Sequence, residues 1–140
     1  MSVRMVLLPV FAMVALAFGL LFWMASLRVS AIRRGEVKMK EIALGEPAWA
    51  TRTRQIGNAF HNQLQLPLLF YVLTILAYIT RFADLLFVLM AWVFVVLRYG
   101  HAWIHVTSNH VGTRFYWFAS SALVLLAMWL IYALRLLLAL

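Results

Sequence analysis

Residues 5–27 carry no charged side chain, and only Pro9, Gly19 and Ser26 interrupt their apolar series. About 20 apolar residues cross the hydrocarbon core of a bilayer. A segment in lipid must satisfy its own backbone N–H and C=O groups, so a run of this kind predicts a transmembrane helix. The run is too long for the apolar part of a signal peptide, and no small-x-small cleavage pattern follows it, so the expectation is a retained first span. Pro9 falls in its first turns, where a missing N–H costs least. Composition agrees: 66% of the chain is hydrophobic and 11% charged, against about 45–50% and about 25% in soluble domains. The net charge of +8 would suggest nucleic acid in a soluble protein. In a membrane chain it reads as topology, and no nucleic-acid partner is expected.

Three further spans are expected, at residues 51–79, 83–107 and 113–138, giving an all-α, antiparallel four-helix membrane bundle in a single domain of residues 1–140. Residues 28–50 form the one extended hydrophilic segment, with Arg28, Arg33, Arg34, Lys38 and Lys40 beside Glu36, Glu41 and Glu46. Gly35, Gly45 and Pro47 punctuate it, which suits a short helix or loop at the membrane surface. Arg81 and Asp84 mark a tight turn between the second and third spans, and Arg135 can snorkel to the interface from the fourth. Nine basic residues then lie on the side of the 28–50 loop, and Arg4, Arg81 and Arg135 on the other, accounting for all 12. The basic side is expected to be cytoplasmic, with both termini outside.

Two polar stripes break the apolar pattern. At helical pitch Arg54, Asn58, His61, Asn62 and Gln65 share an arc of roughly 100° at the start of the second span. Past Pro67 the polar residues stop. At the end of the third span Arg98, His101 and His105 fall within roughly 60° of one another. Consecutive antiparallel helices bring these ends to the same side of the membrane, so the stripes can face each other. Polar groups inside a membrane are costly and mark function by default, although amides also serve as glue between helices. Arg98 and Arg114 can equally be markers of the interface, and the Trp and Tyr residues are read as interfacial anchors. His101 and His105, with His61, raise a three-histidine metal site. Against it, no carboxylate lies near them in sequence, and no metal is expected. The chain has no cysteine, so any sulfur chemistry needs a thiol carried by a ligand.

The layout resembles the MAPEG family (membrane-associated proteins in eicosanoid and glutathione metabolism), especially its short bacterial branch. The resemblance rests on the opening LLPVFAMVAL, the basic loop, NAFHNQLQLPLLFYVL and LRYGHAWIHVTSNHVGTRF. The family pattern R-x-x-x-N-x-x-E falls on Asn58, Asn62 and Gln65, so the central Asn matches while Asn58 replaces the Arg and Gln65 the Glu. Arg54 lies one turn before Asn58. The pattern R-x-x-H-x-x-x-Y falls on Arg98, His101 and His105, with His in place of Tyr, and the arginine that begins the fourth helix corresponds to Arg114.

The resemblance implies a homotrimer in a bacterial inner membrane. It also implies glutathione as cosubstrate, bound between subunits near the cytoplasmic face and activated as a thiolate for transfer to hydrophobic electrophiles or for reduction of lipid hydroperoxides. Arg114 would stabilise the thiolate. Arg98 would bind ligand or hold the shape of the site, and Asn62 and Gln65 would fix the amides of a tripeptide. Asn58, His101, His105 and Arg54 complete the expected binding set, with His105 a donor that titrates near neutrality. The alternative from a different class is a non-catalytic membrane protein that binds lipid or scaffolds a partner.

Overall fold

The computed structural model describes residues 1–43, 45 and 48–138; Glu46 and Pro47 of the loop lie outside the described residues. Six helices appear in order: α1 Val3–Arg33, α2 Met39–Ile42, α3 Thr51–Asn62, α4 Leu66–Ile79, α5 Leu85–Val106 and α6 Val111–Leu138. Four stretches are long and apolar enough to cross a membrane: α1, α3 with α4, α5, and α6. The protein is thus an all-α antiparallel bundle of four spans.

α1 runs past the expected end of the apolar segment, because nothing in residues 28–33 breaks a helix. It stops at Gly35, whose φ of 74° is a left-handed conformation that glycine adopts without strain. Glu36 N donates to Ala31 O at 3.0 Å and Gly35 N to Ile32 O at 3.1 Å, the paired bonds that close a helix at such a glycine. The basic residues up to Arg33 therefore extend the first span as helix instead of opening the loop.

The second span is not the continuous helix expected over residues 51–79. It breaks at Gln63–Gln65, between α3 and α4. Pro67 stands within the first two positions of α4. It has no N–H for the carbonyl of Gln63, and its ring would clash with that carbonyl in an unbroken helix. The chain instead turns, with Gln63 N donating to Phe60 O at 2.9 Å and Leu64 N to His61 O at 3.0 Å. Buried Gln63 turns its side chain back, and its Nε2 donates to Ala59 O at 3.1 Å.

Two apolar clusters hold the bundle. The larger joins Val6 and Met13 of α1, Phe70, Leu73 and Ala77 of α4, Phe87 to Val95 of α5, and Leu125, Met128 and Tyr132 of α6. Phe70 and Phe94 stack at its centre, 4.8 Å between rings. The smaller gathers Leu20 and Met24 of α1, Ile56 and Ala59 of α3, and Ala102 and Val106 of α5, at the end where the basic loop lies. α5 and α6 pack tightly at Gly100. A Cβ built there would lie 2.3 Å from the Trp117 ring, so only glycine allows the indole to pack on the α5 backbone. At the opposite end Asp84 accepts from Phe87 N at 3.0 Å, capping α5, and pairs with Arg135 at 2.9 Å. Arg135 also donates to Phe82 O at 3.4 Å, so it is tied to the turn between the second and third spans.

Candidate functional site

The turn between α5 and α6 sets the geometry of the site. Asn109 takes a left-handed φ of 51°, and its N–H closes α5 by donating to Ile104 O at 2.7 Å. His110 then opens α6, its Nδ1 accepting from Thr113 N at 3.2 Å. This sharp reversal brings the first turn of α6, with Arg114, beside the last two turns of α5, with His101 and His105. Arg114 Nη1 donates to Asn109 Oδ1 at 2.6 Å, so the residue that makes the turn also aims the arginine.

α3 is fastened to the same end of α5. Gln55 Nε2 donates to His105 O at 2.8 Å and to Thr107 O at 3.1 Å, and Arg52 donates to Val106 O. These carbonyls end a helix and have no partner within it. Arg52 and Gln55 are three residues apart on one face of α3, so their donors meet the α5 terminus together. Sequence reasoning placed Arg52 only in the charge asymmetry and gave Gln55 no role. The signal was the i, i+3 spacing of two long donors at the start of a span.

The result is a hollow of about 400 Å³, within the usual range for small-ligand sites, lined by Asn58, Asn62, Gln65, His101, His105 and Arg114. Members of both polar stripes therefore meet the α6 arginine, even though Gln65 lies within the helix break. Val111, Phe115 and Phe118 of α6 form the apolar part of the wall, a contribution not foreseen from the sequence. Phe115 is 60% exposed at the rim. The His101 and His105 rings lie edge to face, 5.6 Å apart, and Phe118 lies 5.9 Å from His101.

Two expected binding residues stand apart from this hollow. Arg54 and His61 line a second hollow of about 470 Å³ with Arg28 and Trp49, and Asn58 is common to both. The Arg28 guanidinium lies over the Trp49 ring at 5.1 Å. His61 is thus directed away from His101 and His105, and among the described residues no three His, Cys, Asp or Glu side chains converge as metal ligands. Arg98 does not line the hollow either. It is fully buried beneath it, with residues of the two apolar clusters on either side of it along α5. Its Nη2 donates to both the side-chain and the main-chain oxygen of Asn62, the latter at 3.3 Å. Its Nε and Nη1 find no partner among the described residues. Asn62 Nδ2 in turn donates to Gln65 Oε1 at 3.3 Å. A buried guanidinium thus anchors the two amides of the wall.

Comparison with known proteins identifies a family. The sequence pattern of the MAPEG family matches residues 6–134, nearly the whole chain. No curated protein matches the chain individually, and no solved structure does. Four apolar spans and a match of this extent make the conclusion direct: the chain belongs to the MAPEG family, whose membrane proteins have glutathione-related transferase, peroxidase and related functions.

Proposed function

We propose that the protein is a membrane thiol-dependent transferase or peroxidase that binds glutathione in the hollow between α3, α5 and α6. The observation that carries this reading is Arg114 at the rim, held among the described residues by the neutral Asn109 amide alone and facing the polar wall of Asn58, Asn62 and Gln65. A guanidinium without a carboxylate partner keeps its charge available to an anion. A thiolate is such an anion, and a cation beside it lowers the thiol pKa from about 8.5. The first turn of α6 adds the positive end of a helix dipole on the same side. The remaining groups hold the tripeptide: the amides of Asn62 and Gln65 against its peptide groups, His101 and His105 as further donors. Phe115 and Phe118 offer an apolar surface to a hydrophobic electrophile or lipid hydroperoxide arriving from the membrane.

The open side of the hollow and the exposed α6 residues Phe115 and Tyr116 suit a neighbouring subunit, and the assembly is read as a homotrimer. The nine-to-three distribution of basic residues directs the hollow to the cytoplasm of a bacterial inner membrane, with both termini outside. A monomeric detergent-corrected mass would remove the trimer. C-terminal reporter fusions active only in the cytoplasm would remove the orientation.

The test of the activity is a titration of purified protein with glutathione at neutral pH, followed by ultraviolet thiolate absorbance. A charge-assisted hydrogen bond is worth about 1.5–3 kcal/mol, which lowers the bound thiol by about one to two pKa units if it acts on the thiolate alone. Arg114→Ala should remove the thiolate signal and leave the assembly intact. Equal isotherms and equal thiolate signals for wild type and Arg114→Ala would make Arg114 an interfacial anchor and favour a lipid-binding or scaffolding role.

A further inference from the structure

The hydrogen-bond chain under the hollow has a direction, and that direction bears on which thiols fit. A guanidinium carries five N–H donors and no acceptor, and it stays charged. The Asn62 atom that meets Arg98 must therefore be oxygen, as it is. This turns Asn62 Nδ2 the other way, where it needs an acceptor and finds Gln65 Oε1 at 3.3 Å. The end of Gln65 left for a ligand is then Nε2, with its two donors. One buried charge fixes the orientation of two amides in series, and bonds in such a chain polarise one another. The amide wall presents donors to the hollow.

The charges around the hollow have the same sense. Arg98 lies beneath it and Arg114 at its rim, and among the described residues no carboxylate lines it. The described carboxylates are engaged elsewhere: Glu36 pairs with Arg34 at 3.3 Å, Glu41 accepts from Lys38 N at 3.3 Å, and Asp84 pairs with Arg135 at 2.9 Å. A ligand carboxylate meets donors and two positive charges here. A ligand ammonium meets the same donors, two like charges and, among the described residues, no counter-ion.

We infer that Gln65 makes this hollow selective for anionic thiols without regard to a free amine, so that carboxylate-bearing thiols lacking an ammonium group are accepted at least as well as glutathione. The inference rests on the reading of the hollow as a thiol site. Gln65 acts as a specificity-determining residue. A glutamate in its place would accept the Asn62 amide equally well but end the chain on an acceptor, which suits an ammonium and repels a carboxylate.

The experiment compares glutathione with glutathione acetylated on its γ-glutamyl amine, and with mercaptosuccinate as a second amine-free thiol. Each is titrated into the intact wild-type assembly and into Gln65→Glu, with binding measured by calorimetry and thiolate by absorbance. Gln65 is exposed, so the substitution leaves the core untouched, and a thermal melt verifies this. In wild type the acetylated form should bind within threefold of glutathione or more tightly. In Gln65→Glu the ratio should move at least tenfold in favour of glutathione, the scale of one gained or lost charge-assisted bond. Weakening of wild-type binding by more than threefold on acetylation overturns the inference while leaving a thiol site in place. A ratio that moves less than tenfold in Gln65→Glu overturns the role of Gln65. If none of the three thiols binds, the thiol reading itself fails and the inference with it.

Discussion

Replacing Arg98 with methionine should make the protein more stable and its hollow less competent. Arg98 is 0% exposed, and its guanidinium has one partner residue, Asn62, reached through Nη2 alone. Nε and Nη1 are left without partners among the described residues. Each buried polar group without a bond costs about 1–3 kcal/mol, so these two cost about 2–6 kcal/mol, against about 1.5–3 kcal/mol for the charge-assisted bond to Asn62. Methionine keeps most of the buried stem and fills irregular space well. The freed oxygen of Asn62 is on a half-buried residue at the edge of a hollow, where water can reach it. The difference spans about −1 to 4.5 kcal/mol and centres on a gain of about 2 kcal/mol, in line with the replacement of other buried charges by apolar residues.

Thermal unfolding of the detergent-solubilised assembly, followed by circular dichroism, reads this as an unchanged or raised midpoint. Thiol titration of the same sample should show weaker binding, because Asn62 and Gln65 lose the group that orients them. A midpoint clearly below that of wild type would refute the reasoning. It would mean that the guanidinium has compensating partners in the assembled protein, and that Arg98 holds the fold rather than the ligand wall.

Gly100→Ala should lower the unfolding midpoint by an amount equivalent to about 1–3 kcal/mol, because the new methyl meets the Trp117 ring at 2.3 Å and α5 must part from α6. Thiol binding should weaken with it, as Gly100 adjoins His101. Combining Gly100→Ala with Trp117→Leu should recover much of the loss, and additive losses would show that the clash is not the cause. At the other end, the hydrogen bond from Arg135 holds the Asp84 carboxyl below the usual carboxylate range. A depressed folded-state pKa contributes stability that is present above the unfolded value, about 3.9, and is lost as pH falls through the lower folded value. Both side chains are partly exposed, so solvent screening keeps the contribution under about 1 kcal/mol. Asp84→Asn retains a capping side chain for α5, so it should only flatten the fall in melting temperature below about pH 4. An undiminished acid dependence in that variant would place the titrating group elsewhere.

The four spans were legible because hydropathy over bilayer length is a property of composition and needs no knowledge of neighbours. The meeting of the two polar stripes was legible for a related reason, since consecutive antiparallel helices bring the end of one to the start of the next. What periodicity could not supply was the rotation of each helix about its own axis. That rotation puts Arg54 and His61 into a different hollow from Gln65, and it brings Arg52 and Gln55 onto the terminal carbonyls of α5. Arg98 was misplaced by the same gap. After a run of apolar residues an arginine reads as an interfacial cation, and its burial depends on an asparagine 36 residues away.

That asparagine is available because the second span is broken. In an unbroken helix Asn62 O would accept the N–H of Leu66 and point along the helix axis. Pro67 prevents that continuation by removing the next N–H in the ladder and crowding Gln63 O. Asn62 O instead takes the turn N–H of Gln65 at 3.4 Å and Arg98 Nη2 at 3.3 Å. The same turn swings Gln65 round so that its side chain reaches Asn62 from the C-terminal side and still borders the hollow. The proline thus contributes to the site without touching it: it ends α3 at Asn62, where the turn leaves both Asn62 oxygens on the buried charge, and that charge orients the amides. A polar stripe drawn on a continuous helical wheel contains Asn62 and Gln65, but it omits the turn that sets their side chains in series with Arg98 of α5 as one hydrogen-bonded unit.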